Sequence, residues 1–244
     1  MKALTGTLVL LALLLASASV GQLASAERSR ATLDGCIHSG PGVAIFKHIK
    51  VDRRHTIHAA VLGTGRAGVV LSNQSNQSLC AWLPFAQQLR QAGYTVLLYD
   101  YGYGTYRAEI RAAITTLRRR GTTRVVLLGA SQGAKVAILA AGRRRHARAA
   151  GVVSLSAERD LDGTDIKNYA ARVLRPIIFF SSENDVFGAA EAARLFYRVC
   201  PATAKKLVVL PGDLHGIDLL SGPDGLAVKQ QILAFLSAAT AQSS

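Results

Sequence analysis

Acidic residues are scarce in this chain. Fifteen Asp and Glu stand against 29 Lys and Arg, a formal net charge of +14. That imbalance favours contact with anionic surfaces and says nothing about the fold. Charge of either sign is itself sparse, at 18% of residues, while 50% are hydrophobic, which excludes a disordered chain. Cysteine occurs three times, at positions 36, 80 and 200, and none of the three has metal-ligand spacing. Past the N-terminus no stretch is long and apolar enough to cross a bilayer. Aromatics do not interleave with the basic clusters, so the pattern of a nucleic-acid binder is missing. There is no internal repeat. The 244 residues suffice for one domain with a well-buried core.

The N-terminus reads as an export signal. Lys2 is the charged start, Leu8 to Leu15 the apolar core, and Ala24-Ser25-Ala26 a small-residue cleavage site. The expected organisation is a signal peptide over 1–26, a polar tether over 27–42, and a single domain over 43–244. Export would place the chain in the cell envelope or outside the cell, where one cysteine pair can oxidise. Cys36 with Cys80 is the favoured pair, because Cys200 falls at the far edge of the expected sheet.

Val43 to Lys50 and Thr56 to Leu62 read as a hairpin at a sheet edge, turned by Asp52-Arg53-Arg54. Ala67 to Leu71 is a short buried strand. Strands and helices then alternate. Helical spacing over Leu79–Ala92 puts Trp82, Phe85 or Ala86, and Leu89 on one face, and over Thr105–Arg120 it puts Ile110, Ala113, Ile114 and Leu117 inward. Further strands are expected at 94–99, 124–128, 151–155, 177–181 and 206–210, and further helices at 132–145, 166–173, 188–199 and 225–239. Repeated strand–helix units demand a mostly parallel sheet with helices on both faces. Ligands in such folds bind beyond the carboxyl ends of the strands.

One strand end carries Gly129-Ala130-Ser131-Gln132-Gly133 between a β-branched run and an alanine-rich helix. Strand, tight turn and helix in that order hold a serine in strained backbone and lift its hydroxyl above the sheet. The helix that follows aims free N–H groups at the same point. A Ser-x-x-Lys pattern does not apply, since Lys135 lies four residues after Ser131. A serine hydroxyl needs a base, and the base an orienting acid. Later strand ends supply Ser182-Glu183-Asn184-Asp185 and Gly212-Asp213-Leu214-His215-Gly216. Glu183, and Glu158, Asp160 and Asp162 after the strand at 151–155, compete with Asp185 for the acid.

Taken together, Gly-Ala-Ser-Gln-Gly at 129–133, Asp185, and Gly-Asp-Leu-His-Gly at 212–216 resemble the α/β-hydrolase superfamily, in particular secreted serine esterases and dienelactone-hydrolase-like proteins without a large cap domain. Tyr99-Asp100-Tyr101-Gly102-Tyr103-Gly104 resembles the family's Asp-x-x-Gly-x-Gly turn, with one residue fewer between Asp100 and Gly102. The resemblance implies a three-layer α/β/α sandwich. It also implies Ser131 as nucleophile, His215 as general base and acid, and Asp185 as the orienting acid, cleaving carboxylic esters with no metal or cofactor.

The oxyanion hole departs from the family pattern. One donor is the backbone N–H of Gln132; the second should come from the loop after the 67–71 strand, where many relatives carry His-Gly. Here the loop is Ser72-Asn73-Gln74-Ser75-Asn76. The N–H of Asn73 or Gln74 can serve, or the side chains of Asn73, Gln74 or Asn76 add donors. Asn73 and Asn76 also match glycosylation acceptors, read as coincidence because a glycan there would obstruct the cleft. Tyr101, Tyr103 and Tyr106 are candidates for the cleft rim. Arg118–Arg120 and Arg143–Arg145 with Arg148 are basic helix ends, suited to weak contact with an anionic envelope surface. A catalytically silent binding protein of the envelope, or a peptidase or thioesterase using the same triad, are the alternatives to an esterase.

Overall fold

The structure is a computed structural model that describes residues 32–102, 105–143 and 149–241. The expected signal peptide, Tyr103, and Arg144, Arg145, His146 and Arg148 lie outside the described residues.

Two short strands, β1 (Thr32–Leu33) and β2 (Ile37–His38), come first. The edge hairpin follows as β3 (Val43–Lys50) and β4 (Thr56–Leu62), antiparallel, with a register shift between Phe46 and Ile49. The alternating part is β5 (Ala67–Ser72), α1 (Leu83–Gln91), β6 (Thr95–Tyr99), α2 (Tyr106–Arg119), β7 (Arg124–Ala130), α3 (Gln132–Ala141) and β8 (Gly151–Leu155). A two-stranded excursion, β9 (Asp160–Leu161) with β10 (Thr164–Asp165), leads to α4 (Lys167–Ala170). The chain closes with β11 (Ile177–Ser182), α5 (Ala189–Val199), β12 (Lys205–Leu210) and α6 (Gly225–Thr240). A 3-10 turn, Leu79–Trp82, precedes α1, and another, Gly216–Leu220, follows His215.

Eight strands form one sheet in the order β12-β11-β8-β7-β5-β6-β4-β3. From β12 to β6 every pairing is parallel, and β4 joins β6 antiparallel. The chain leaves β5 for β6 on one side and returns to β7 on the other. That reversal of direction opens a crevice above β5 and β7, where such folds bind ligands.

Side chains alternate across the sheet as the strand period requires. In β7, Val125 and Leu127 face a core shared with α2, α3, α4 and α5. Val126 and Leu128 face the opposite core, with α1 and α6. The central strands are buried on both faces, which is why they read as continuous apolar runs. Trp82, Phe85, Ala86 and Leu89 are all buried, as are Ile110, Ala113, Ile114 and Leu117.

Part of the stretch expected as a tether packs against the domain. Leu33 and Ile37 are buried in the α1/α6-side core, and Cys36 is bonded to Cys80. Two apolar anchors and a covalent bridge hold residues that composition alone makes look like a linker. Cys200 is a buried free thiol. No helix among the described residues is long and apolar enough to cross a membrane.

Candidate active site

Ser131 occupies the corner between β7 and α3 at φ 48°, ψ −116°, a strained conformation for a residue with a side chain. The corner is possible because of glycine on either side. A Cβ on Gly133 would stand 2.0 Å from the carbonyl oxygen of Ser72, and one on Gly129 would stand 2.2 Å from the Gly133 carbonyl. Bare backbone therefore lets β5's end, the corner and the first turn of α3 touch. Gln132 is the first residue of α3, and the leading N–H groups of a helix have no partner within it.

His215 follows β12, and Asp185 follows β11. The Asp185 side chain is fully buried. Its Oδ1 accepts from the Phe187 N–H at 3.0 Å, and its Oδ2 lies 2.7 Å from His215 Nδ1. In the neutral ring that contact fixes the proton on Nδ1 and leaves Nε2 with a lone pair. The Phe187 ring packs against the imidazole, centroids 4.5 Å apart, although Phe187 is 63% exposed. Glu183 points elsewhere, pairing with Arg194 at the surface.

Glu158, two residues past the Ser156 corner that ends the β8 arm, reaches into the same space. The Ser131 hydroxyl donates to Glu158 Oε1 at 2.8 Å. His215 Nε2 lies 3.4 Å from that same oxygen. Glu158 Oε2 is 2.9 Å from Lys135 Nζ, one turn along α3 from Ser131. The serine and the histidine thus meet through one carboxylate oxygen. By residue order Glu158 is only a rival for the orienting acid. Its position at Nε2, instead of Nδ1, has no signal in residue order.

Burial disfavours a charged imidazole, but the two carboxylates outweigh it and raise the His215 pKa above its ordinary value. Burial likewise works against an ionised Glu158. His215, Lys135 and Ser131 together overcome it and hold that carboxyl down to about 2.

The loop after β5 is built inward. Asn73 is buried, and its Nδ2 donates to the Tyr99 carbonyl at 3.0 Å and to Asp100 Oδ1 at 2.8 Å. Asp100 Oδ1 also accepts from the Leu79 N–H at 2.7 Å, so one carboxylate closes the loop at both ends. Burial, and then the neighbouring Asp34, push the Asp100 pKa up to about 7. These bonds take up the Asn73 side chain, correcting the suggestion that it adds donors to the cleft, and its burial leaves no room for a glycan. Gln74 Oε1 accepts from the Ile217 N–H at 3.0 Å, joining this loop to the His215 loop. Gln132 Oε1 accepts from the Ser75 hydroxyl at 2.8 Å. The Tyr101 hydroxyl donates to the Asn73 carbonyl at 3.1 Å, and its ring stacks edge-on with Tyr99 and Tyr106. Tyr101 thus braces the loop. Among the described residues no three His, Cys, Asp or Glu side chains are grouped as metal ligands would be.

A mostly parallel sheet flanked by helices on both faces, with its strained serine corner at the reversal of strand order, defines an α/β sandwich of the hydrolase type. The pattern of the alpha/beta hydrolase family matches residues 78–237, and the chain belongs to that family. Solved structures share the fold at low identity. An esterase of Pyrococcus furiosus is 18% identical, with 82% of this chain and 91% of that one covered and a TM-score of 0.70. A dienelactone hydrolase of Anabaena variabilis is 19% identical, with 81% and 99% covered and a TM-score of 0.66. Est1E of Butyrivibrio proteoclasticus is 17% identical, with 81% and 100% covered and a TM-score of 0.62. No curated protein matches the chain.

Proposed function

We propose that the protein is an exported serine hydrolase that cleaves carboxylic esters through Ser131, His215 and Asp185. The observation that carries this reading is the imidazole held at Nδ1 by a buried carboxylate, with Nε2 turned toward the serine corner. His215 Nε2 takes the Ser131 proton as Oγ bonds to the ester carbonyl carbon. The developing oxyanion is held by the Gln132 N–H and by an N–H of Asn73 or Gln74. The imidazolium then gives its proton to the departing alkoxide, leaving an acyl-enzyme and an alcohol. Water repeats the sequence: His215 takes its proton, its oxygen attacks the acyl carbon, and the proton returns to Ser131 as the acid leaves.

The family and the esterases among its structural neighbours support ester chemistry. The disulfide supports an oxidising compartment and hence export. The exposed Phe187, whose ring packs on His215, gives the cleft an apolar border suited to an acyl group.

Ser131→Ala is expected to lower hydrolysis of short p-nitrophenyl esters by at least about 10³-fold and to abolish labelling by a fluorophosphonate probe. One observation favours a second reading, a silent binding protein: the Ser131 hydroxyl is engaged by Glu158. A folded wild-type protein with no ester turnover and no probe labelling would select it.

A further inference from the structure

A carboxylate at Nε2 is an obstacle to the chemistry just proposed. A neutral His215 presents a lone pair there, and so does Glu158 Oε1, 3.4 Å away. Two lone pairs repel, so this contact is favourable only while Nε2 carries a proton. In that state the imidazolium cannot accept the serine proton. The serine proton is directed elsewhere as well, to the same oxygen at 2.8 Å. The geometry is that of a resting site, with both reacting groups occupied by one carboxylate.

Glu158 has a second place to go. Its other oxygen is held by Lys135 at 2.9 Å, and Lys135 stands on α3, a helix fixed by seven buried residues. Once Nε2 loses its proton, Glu158 loses one of its partners and keeps the ammonium. Its carboxylate can then draw toward Lys135, and the Ser131 hydroxyl can turn to the imidazole. Among the described residues the charged groups facing the His215 ring are Asp185 from the loop after β11 and Glu158 from the arm after β8. Lys135 from α3 acts on it through Glu158.

We propose that Glu158, tethered by Lys135, is a positioning residue that keeps Ser131 and His215 apart until His215 gives up its Nε2 proton. The pair thereby sets the pH at which the site becomes active. This rests on the serine-hydrolase reading of the site. It assigns the carboxylate a different task from Asp185, which orients the ring, and it gives Lys135 a role outside substrate binding.

The two partners should act with opposite sign. Glu158→Gln removes the anion at Nε2 and keeps the shape. The acid limb of kcat/KM for a p-nitrophenyl ester is expected to move to lower pH. The ratio of kcat/KM at pH 6 to that at pH 8.5 should rise roughly threefold or more. Lys135→Met removes the cation that draws the carboxylate away, and the same ratio should fall by a similar factor. A merely structural role would lower activity at all pH values and leave the ratio unchanged.

The His215 ring can also be titrated directly by NMR in the full chain, its signal assigned by its loss in His215→Asn. Midpoints that move down in Glu158→Gln and up in Lys135→Met support the proposal. Midpoints that do not move, or that move the same way, overturn it. That readout needs no turnover, so it separates this inference from the enzyme reading: absent or Ser131-independent hydrolysis counts against the reading alone.

Discussion

Asp185 and Glu158 are two carboxylates on two sides of one imidazole, and they differ in every respect that matters. Asp185 is enclosed, takes a backbone N–H on one oxygen and Nδ1 on the other, and among the described residues its one ion-pair partner is the ring itself. Glu158 is partly open, reaches Nε2 at a longer distance, and is shared among a hydroxyl, the ring and an ammonium. A fully committed carboxylate can only orient. One with three partners can exchange them. What separates the two is the nitrogen each faces and the alternatives open to it, more than proximity to the ring.

The sharpest way to break the contrast is Asp185→Asn. An amide at that point can present its N–H to Nδ1 and so fix the wrong tautomer, and kcat for ester hydrolysis should fall by about 10³–10⁴ with the fold retained. A loss under tenfold, in steady-state kinetics at pH 8.5, would mean that Glu158 can take over the orienting task and that the two are not distinct.

A smaller effect is expected where the His215 loop is held from the far side. Gln74→Ala leaves the Ile217 N–H without its side-chain acceptor and unties that loop from the one after β5. A loss of roughly fivefold in kcat/KM, about 1 kcal/mol, should follow. If Gln74→Ala matched Asp185→Asn, loop anchoring and not the carboxylate would be what orients the ring. Smallest of all should be Ser75→Ala, which breaks an exposed bond to Gln132. Less than about a twofold change in kcat/KM is expected, since exposed polar pairs contribute little.

The order of the main sheet's strands and of the helices between them could be read from the chain because each signal is local; the two-residue strands β1, β2, β9 and β10 are too short to give one. Alternating apolar runs, the glycines after α1 and α2, and the Gly-Ala-Ser-Gln-Gly corner all act within a few residues. Ser131, Asp185 and His215 could be singled out because each sits at a strand end, and strand ends of one sheet converge. What lay beyond reading was the direction of side chains. Asn73 lies in the right loop, but its amide turns inward because Tyr99 and Asp100 offer a buried acceptor pair. Glu158 follows the right strand, yet only packing decides that it meets Nε2 and that Lys135, a turn beyond the serine, meets it in turn. The Leu33 and Ile37 anchors were hidden for a related reason: two apolar residues in a polar stretch make no period.

The bridge between Cys36 and Cys80 joins the first described hairpin to the turn that begins one residue after Ser78. The loop after β5 is therefore clamped by Asp100, which bonds to both of its ends, and by a covalent staple at its downstream foot. Reducing surroundings would open that staple and loosen two segments at once, the hairpin and the foot of the loop, so the thiol balance around the protein bears on how firmly these two segments keep their shape.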